Sequence, residues 1–298
     1  MRHLLSIADL SRGDVERVLD AARGLDGPEP PQVLRGKLVL NVFYESSTRT
    51  SSSFDLAARR LGATTMTLKE SGSSADKGES LKDTVQTLSA YGPDVIVLRH
   101  PQAGAPAFAA RHTDAHVVNA GDGKHQHPTQ ALLDLYAMRE TFGRLDGLHV
   151  AIVGDVLHSR VARSLVGALG LVGARVTLVG PPALLPPLGC EQSTDIDAIA
   201  GADVVYVLRM QRERMLAGAS YVPSLREYAA RWGVTPERLR PGQRVMHPGP
   251  INRGVELDAR VADGPASLVL EQVRCGLLVR MAVLQELTVG AARLQEVA

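Results

Sequence analysis

Short apolar runs alternate with longer helical patterns along the whole chain. Those in the first part are 37–43, 63–68, 94–98 and 116–118. Those in the second part are 149–153, 175–179, 203–208 and 243–246. The runs lack polar alternation, which is typical of parallel strands buried on both faces. Strands joined by helical crossovers predict an α/β protein of two doubly wound domains, each a mostly parallel sheet flanked by helices.

Three further patterns predict helices outside these crossovers. Ser11, with Asp14 three residues later, predicts a helix start, and we expect that helix to end near Gly24. The stretch 128–142 predicts a long amphipathic helix between the two sets of strands, and 267–287 predicts one long final helix.

Composition narrows the class of protein. The chain has 298 residues, of which 45% are hydrophobic, enough for two cores, and its net charge of +1 predicts no nucleic-acid or membrane surface. Cys190 and Cys275 fit no metal spacing and are interpreted as reduced thiols. The charged Asp9 comes too early for the apolar core of a signal peptide. The longest uncharged run, 176–190, contains four prolines, so we do not expect it to span a membrane. These features predict a soluble, cytoplasmic protein.

Polar side chains recur directly after the predicted strands, where open parallel sheets bind ligands. These side chains are Arg49, Arg99, His127, Gln130, Arg160, Arg209 and Gln211. For a single arginine, solvated charge at a loop end is an adequate explanation. Recurrence at several strand ends favours a binding site for anions.

The segment FYESSTRTSSSF (43–54) has the strongest anion-binding signal. Thr48, Arg49 and Thr50 are predicted to form the first turn of a helix, where free N–H groups and the helix dipole favour a phosphate. The hydroxyls add neutral donors, and the guanidinium adds a charged fork. The chain has neither a P-loop pattern here nor GxGxxG after 149–153, so we expect a small phosphorylated molecule rather than a nucleotide.

Two other features have weaker signals. His125 and His127 form a single HxH without a nearby acidic or cysteine partner, so we expect no metal, and His127 is interpreted as a substrate contact. The segment 71–80, which carries Lys77, is by itself typical of a surface loop.

Seven ordered motifs resemble those of the aspartate carbamoyltransferase family over essentially the whole chain. They are SSTRT (46–50), DKGESLKDT (76–84), VLRHP (97–101), NAGDGKHQHPTQALLDL (119–135), GDVLHSRVARSL (154–165), LRMQRER (208–214) and HPGPINRGVE (247–256). The resemblance implies carbamoyl transfer from carbamoyl phosphate to L-aspartate in pyrimidine biosynthesis, and we expect no cofactor. It implies a carbamoyl-phosphate domain at 1–135, completed by a C-terminal helix (278–298) that packs back on it, and an aspartate domain at 136–277.

The resemblance also implies roles for single residues. Those implied for carbamoyl phosphate are Ser47, Thr48, Arg49, Thr50, Arg99, His127, Gln130, Gly249 and Pro250. Those implied for aspartate are Lys77, Arg160, Arg209 and Gln211. The catalytic set implied is Arg49, Thr50, Lys77, Arg99 and His127. Because the Lys77 loop completes a neighbouring chain's site in this family, a homotrimer with shared active sites is implied, while regulatory or other pyrimidine-pathway chains stay open as partners.

Several alternatives remain at this stage. Some family members have two lysines before the Gly-Glu of the loop, whereas here Asp76 precedes Lys77, and either Ser73 or Ser74 is open as a phosphate contact. Ornithine carbamoyltransferases share STRT and HPTQ, but they carry an HCLP-type stretch where this chain has HPGP. A catalytically silent anion-binding partner is the alternative from another class, and the intact set of polar residues argues against it.

Overall fold

The computed structural model describes residues 1–69, 79–211 and 224–295, and the side chains among them as far as residue 289, except that of residue 69. The chain forms two compact units. Unit 1 comprises Met1–Tyr136 and Val273–Ala298, and unit 2 comprises Ala137–Gln272.

Unit 1 begins with a 3-10 turn at Ile7–Asp9 and then alternates helices with strands. Its elements are α1 Arg12–Gly24, β1 Leu38–Phe43, α2 Thr48–Arg60, β2 Thr64–Lys69, α3 Leu81–Ser89, β3 Val95–His100, α4 Ala105–Ala109, β4 His116–Asp122 and the start of α5, Pro128–Phe142. The capping box predicted at Ser11 and Asp14 is present at the start of α1.

The sheet of unit 1 is parallel, with strand order β2-β1-β3-β4. Five of the six residues of β1 are buried, as expected for a central strand covered on both faces. One face packs Leu40 and Val42 against Val85 and Leu88 of α3. Burial of each such side chain stabilises the fold by about 1.5–3 kcal/mol, so this layer fixes the edge from which the β1–α2 loop emerges.

Unit 2 continues the alternation after α5. Its elements are β5 His149–Val153, α6 Arg160–Leu171, β6 Arg175–Val179, β7 Glu191–Ser193, β8 Val204–Val207, α7 Leu225–Trp232, β9 Arg244–Met246, α8 Ala259–Ala262 and the start of α9, Val269–Gln295. Short 3-10 turns lie at Pro182–Leu184, Ile196–Gly201 and Pro236–Arg238. The parallel sheet has strand order β7-β6-β5-β8-β9, and every residue of β5 is buried.

The C-terminal helix belongs largely to unit 1. Arg274 of α9 donates to Asp26 at 2.7 Å, and the guanidinium of Arg280 lies 5.2 Å from the ring centroid of Phe54 on α2. The predicted α/β class, with two parallel sheets and a final helix that packs back on the first of them, is confirmed.

Two expectations about elements are wrong. Strand β7 was not predicted, because its three residues, EQS, have no apolar pattern, and the edge of β6 supplies its backbone partners. Helix α5 is not amphipathic, since all residues from 128 to 138 are buried. Asp134 is therefore buried, whereas an amphipathic helix would expose this carboxylate to solvent.

Two general expectations concern the class of protein. Cys190 and Cys275 are free thiols. In the part of the chain that the structure describes, no helix combines the length and the apolar character that a membrane crossing requires.

Candidate functional site

In the sheet of unit 1, with strand order β2-β1-β3-β4, the chain adds strands on one side of β1 and then on the other, so the strand order changes direction between β1 and β3. In open parallel sheets, ligands bind at the carboxyl ends of the strands beside such a reversal. The chain that leaves β1 carries residues 47–50, and Arg99 lies near the end of β3. The N–H of Tyr44 donates to the carbonyl of Arg99 at 2.9 Å, so the two segments are joined at this edge.

The first turn of α2 provides the donors that an anion needs. Ser47 is the N-cap, and its Oγ accepts a hydrogen bond from the N–H of Thr50 at 3.4 Å. Thr48 and Arg49 are exposed, whereas Thr50 is buried. The first N–H groups of a helix have no partner within the helix, and the dipole adds partial positive charge there. Hydroxyl and guanidinium groups beside these donors favour a phosphate.

Arg99 lies inside β3, not after it as the sequence pattern predicts. The strand includes Arg99 because this residue pairs with Phe43 of β1. The pairing of β3 with β4 also continues past Arg99, with a register shift between Leu98 and His100. The Nε of Arg99 donates to Oε2 of Glu45 at 3.3 Å, with both side chains largely shielded from solvent. A guanidinium carries five N–H donors, so one carboxylate does not saturate it.

His127 precedes α5 and is buried at the end of a fixed turn. The carboxylate of Asp122 accepts from the N–H of Gln126 at 2.9 Å and lies 3.0 Å from Nδ1 of His125. The expectation that the HxH has no acidic partner nearby is therefore wrong, because the turn after β4 brings Asp122 to His125. It also accepts from the N–H of Gly104 at 2.7 Å, which joins the loops that follow β3 and β4. Asp122 is thus the residue that fixes the backbone leading into His127.

Gln130 lies in the first turn of α5 and is buried. Its Nε2 donates to Oδ1 of Asp134, one turn later, at 3.0 Å. Because an ionised carboxylate only accepts hydrogen bonds, the amide nitrogen faces Asp134 and Oε1 is left to face a donor. Gln130 therefore offers an acceptor, whereas residues 47–50 offer donors.

The sheet of unit 2 reverses between β5 and β8. The structure places the described residues predicted to bind aspartate on the two segments that follow these strands. Arg160 is the first residue of α6 and is buried, and the N-cap Ser159 accepts from the N–H of Ala162 at 3.1 Å. Arg209 and Gln211 follow β8 and are half-buried.

A buried carboxylate joins these two segments of unit 2. Asp155 Oδ1 lies 2.9 Å from Nδ1 of His158, and its Oδ2 accepts from the N–H of Gln211 at 3.3 Å. Both members of the Asp155–His158 pair are almost fully buried. This contact fixes the segment after β8 beside the loop that leads into α6. Two guanidinium groups and an amide on a fixed edge suit a ligand with two carboxylates.

The segment after β9 contains the remaining predicted contacts of unit 2. The Gly249–Pro250 peptide bond is cis. The N–H of Gly249 donates to Nδ1 of His247 at 2.8 Å, and Nε2 of the same histidine lies 3.4 Å from Oε1 of the buried Glu256. These contacts hold the backbone of the HPGP motif in one conformation.

Part of the predicted site lies outside the described residues. Lys77 belongs to this part, as do Ser73 and Ser74, and their roles stay predictions. Within 1–69, 79–211 and 224–289, no three His, Cys, Asp or Glu side chains are grouped so as to hold a metal ion.

Sequence reading missed three acidic residues that hold the two sheet edges. They are Glu45, Asp122 and Asp155, each of which ends a strand or lies within two residues of one. The available signal was a carboxylate at a strand end, where it meets the N–H groups and cations of the next loop. The contacts predicted at these strand ends are cations, hydroxyls, amides and a histidine, with no carboxylate among them.

Two family models match consecutive parts of the chain. The carbamoyl-P binding domain of aspartate/ornithine carbamoyltransferase matches residues 2–140, and the Asp/Orn binding domain of the same family matches residues 146–287.

Named relatives match nearly the full length. The aspartate carbamoyltransferase catalytic subunit of Sorangium cellulosum is 53% identical over 296 residues, which cover 95% of this chain and 92% of the relative. That of Salinispora arenicola is 53% identical over 309 residues, with 98% and 100% covered.

Solved structures with the same fold include two enzymes with related names. Aspartate transcarbamoylase of Trypanosoma cruzi, in complex with carbamoyl phosphate and aspartate, has a TM-score of 0.87 at 32% identity and covers 95% of both chains. The catalytic subunit of aspartate transcarbamoylase from M. jannaschii has a TM-score of 0.86 at 37% identity, with 96% of this chain and 98% of that chain covered.

Proposed function

The chain belongs to the aspartate/ornithine carbamoyltransferase family, and from that membership we propose that it transfers the carbamoyl group of carbamoyl phosphate to L-aspartate. The products are N-carbamoyl-L-aspartate and phosphate, in de novo pyrimidine biosynthesis. One observation supports the assignment. The first turn of α2, which suits a phosphate, lies where the strand order of the unit 1 sheet changes direction, and two arginines lie at the corresponding place in the unit 2 sheet.

The reaction needs no nucleophile from the protein. The amine nitrogen of aspartate attacks the carbonyl carbon of carbamoyl phosphate, and the carbonyl oxygen becomes an oxyanion. The C–O bond to phosphate then breaks, and the proton of the amine passes to the leaving phosphate. We assign Thr50, Arg99 and His127 as the fixed donors for the oxyanion. Holding both reactants in place supplies much of the remaining acceleration.

The contacts to carbamoyl phosphate follow from its two ends. Residues 47–50 and Arg99 bind the phosphate, because they combine helix N–H groups, hydroxyls and guanidinium groups. At the other end, Gln130 accepts a hydrogen bond from the carbamoyl NH2 group through Oε1. Gly249 and Pro250 contribute backbone contacts, as in the family that the chain resembles.

The contacts to aspartate follow from its two carboxylates. Arg160 and Arg209 each pair with a carboxylate, with Gln211 and Lys77 as further donors. A ligand with a cationic side chain, such as ornithine, meets like charge at these positions. Parallel assays of carbamoyl transfer to aspartate and to ornithine test this assignment. Product with aspartate alone is expected; product with ornithine alone, or with neither amine, contradicts the proposal.

The assembly is proposed as a homotrimer in which Lys77 completes the site of a neighbouring chain. The test mixes two inactive variants, Lys77→Ala and Arg49→Ala, under conditions in which trimers exchange chains. A Lys77→Ala chain then receives an intact Lys77 from an Arg49→Ala neighbour. Random equal mixing restores about a quarter of the sites, because each position in such a pair is filled independently. Confirmed exchange without recovered activity contradicts the shared site.

A further inference from the structure

The function proposed above gives no role to two buried charged residues of unit 1, and one of them, Asp134, accepts a hydrogen bond from the predicted substrate contact Gln130. Asp134 lies one turn after Gln130 on α5 and is 0% exposed. Arg280 lies on α9 and is 4% exposed. The charge of Asp134 acts on Arg280, and Nε2 of Gln130 donates to Asp134 at 3.0 Å. A buried hydrogen bond therefore joins Gln130 to Asp134, and Arg280 is a buried cation on which the charge of that carboxylate acts.

The position of Arg280 is unfavourable unless a negative charge lies near it. Burial lowers the pKa of its guanidinium to about 10, and the charge of Asp134 opposes this shift. The guanidinium also lies over the Phe54 ring, and its Nε has no hydrogen-bond partner among the described residues. Well-packed apolar side chains often stabilise a fold as well as a buried charge pair does, so stability alone does not account for this one.

The orientation of Gln130 depends on the charge of Asp134. An ionised carboxylate accepts and never donates, so only the NH2 end of the amide can face it. The oxygen end is then fixed on the other side. An asparagine or an apolar residue at position 134 removes this restriction, because either end of the amide can then face it.

We propose that Asp134 is a positioning residue that locks the Gln130 amide with its oxygen toward the substrate, and that it thereby sets the preference for a carbamoyl group over an acyl group without the amino group. This inference rests on the function proposed above. Arg280 supplies the positive charge that accompanies the buried carboxylate. A locked acceptor favours the NH2 of carbamoyl phosphate and gains nothing from the methyl group of acetyl phosphate.

The test compares the affinities of carbamoyl phosphate and acetyl phosphate for the full-length protein by calorimetry. The two ligands share the phosphate and the carbonyl, so their affinity ratio isolates the contact to NH2. The wild-type protein is expected to prefer carbamoyl phosphate. Asp134→Asn keeps the shape of the side chain and is expected to lower this preference by up to about tenfold, the upper end of what one hydrogen bond between neutral groups contributes.

A double-mutant cycle separates positioning from general support of the fold. Gln130→Ala is expected to abolish the preference, and adding Asp134→Asn to it is expected to change the ratio no further. Should Asp134→Asn lower both affinities by the same factor, the positioning role is wrong. If that variant does not fold, Asp134→Asn combined with Arg280→Met removes both buried charges, and an unchanged preference in it also overturns the inference. If the wild-type protein does not bind carbamoyl phosphate, the proposed function itself is wrong. That outcome differs from failure of the positioning role, which appears only in the variants.

Discussion

Helices α2 and α6 begin at equivalent places in the two sheets, yet they present their arginines differently. Each follows the first strand of its sheet and has a serine N-cap, Ser47 in α2 and Ser159 in α6. Arg49 is exposed among hydroxyl side chains, whereas Arg160 is 3% exposed. An exposed, hydroxyl-rich turn offers many donors to the several oxygens of a phosphate. A buried arginine offers one planar fork, which suits one carboxylate.

Two of the acidic residues at the edges, Glu45 and Asp155, differ in what they hold. In unit 1, Glu45 pairs directly with a predicted ligand arginine, Arg99, and both side chains are largely shielded from solvent. In unit 2, the buried Asp155 contacts His158 and the backbone of the segment after β8. Glu45 thus holds a predicted ligand side chain by charge, whereas Asp155, like Asp122 of unit 1, holds the backbone that carries one. This contrast predicts separable effects when either edge is changed.

Arg49→Ala has the largest expected effect and acts on one ligand. It removes a charged, forked donor at the start of α2, so carbamoyl phosphate affinity is expected to fall by about 3 kcal/mol, or about 100-fold. Calorimetry measures this loss. Arg59→Ala, in the last turn of the same helix where Arg59 pairs with Asp55 at 2.9 Å, is the control and leaves the affinity unchanged. Near-normal affinity in Arg49→Ala contradicts the phosphate assignment.

Arg209→Ala is the corresponding change in unit 2. Because Arg209 follows β8, this variant is expected to spare carbamoyl phosphate binding and to weaken aspartate binding by about 2 kcal/mol. Calorimetry with each ligand separates the two effects. Arg231→Ala, an exposed arginine of α7 paired with Glu227 at 3.5 Å, is the control in the same unit. An equal loss for both ligands means that the division of labour between the units is wrong.

Much of this architecture follows from local sequence patterns. The largely apolar runs of β1 and β5, the capping box of α1 and the start of α5 at Pro128 are where the sequence predicts them. These elements are decided by short-range periodicity and capping, which one sequence contains. The location of the arginines followed from a rule about parallel sheets, and their roles stay predictions.

The unpredicted features depend on long-range burial. Asp134 lies in a stretch whose pattern predicts an amphipathic helix, yet residues 128–138 are all buried, and the charge of the carboxylate acts on the buried Arg280. More than a hundred residues separate these two side chains in the chain, so no local pattern relates them. Strand β7 is another such case, since its pairing is supplied by β6 rather than by its own residues.

Gly154→Ala tests how tightly the edge of unit 2 is packed. Gly154 follows β5 with φ +119°, and a Cβ there lies 2.9 Å from the hydroxyl oxygen of Tyr228 and 3.1 Å from the carbonyl oxygen of Leu208. Backbone strain and close contact are expected to lower the free energy of unfolding by about 2 kcal/mol. The fluorescence of Trp232, the single tryptophan of the chain, measures this loss in urea, because its ring centroid lies 5.9 Å from that of Tyr228.

The control for this change is Gly242→Ala in the same unit. Gly242 also has a positive φ, +87°, but no atom lies within 4 Å of an added Cβ. Its variant therefore carries backbone strain alone, about 1 kcal/mol. Equal losses in the two variants mean that the close contacts at Gly154 relax without cost.

The smallest expected effects come from two serine caps that differ in whether a ligand is near. Ser11 caps α1 by accepting from the N–H of Asp14 at 3.1 Å, so Ser11→Ala is expected to lower the free energy of unfolding by about 1 kcal/mol. At Ser47 the capping hydrogen bond to the N–H of Thr50 is 3.4 Å long, so alanine there is expected to destabilise the fold less. The order reverses for carbamoyl phosphate: Ser47→Ala removes a predicted ligand hydroxyl and is expected to weaken binding severalfold, while Ser11→Ala leaves it unchanged. Urea unfolding and calorimetry on both variants measure the two orders. If Ser47→Ala loses stability alone, the serine is a cap and not a ligand contact, and the phosphate is held by the remaining donors of α2.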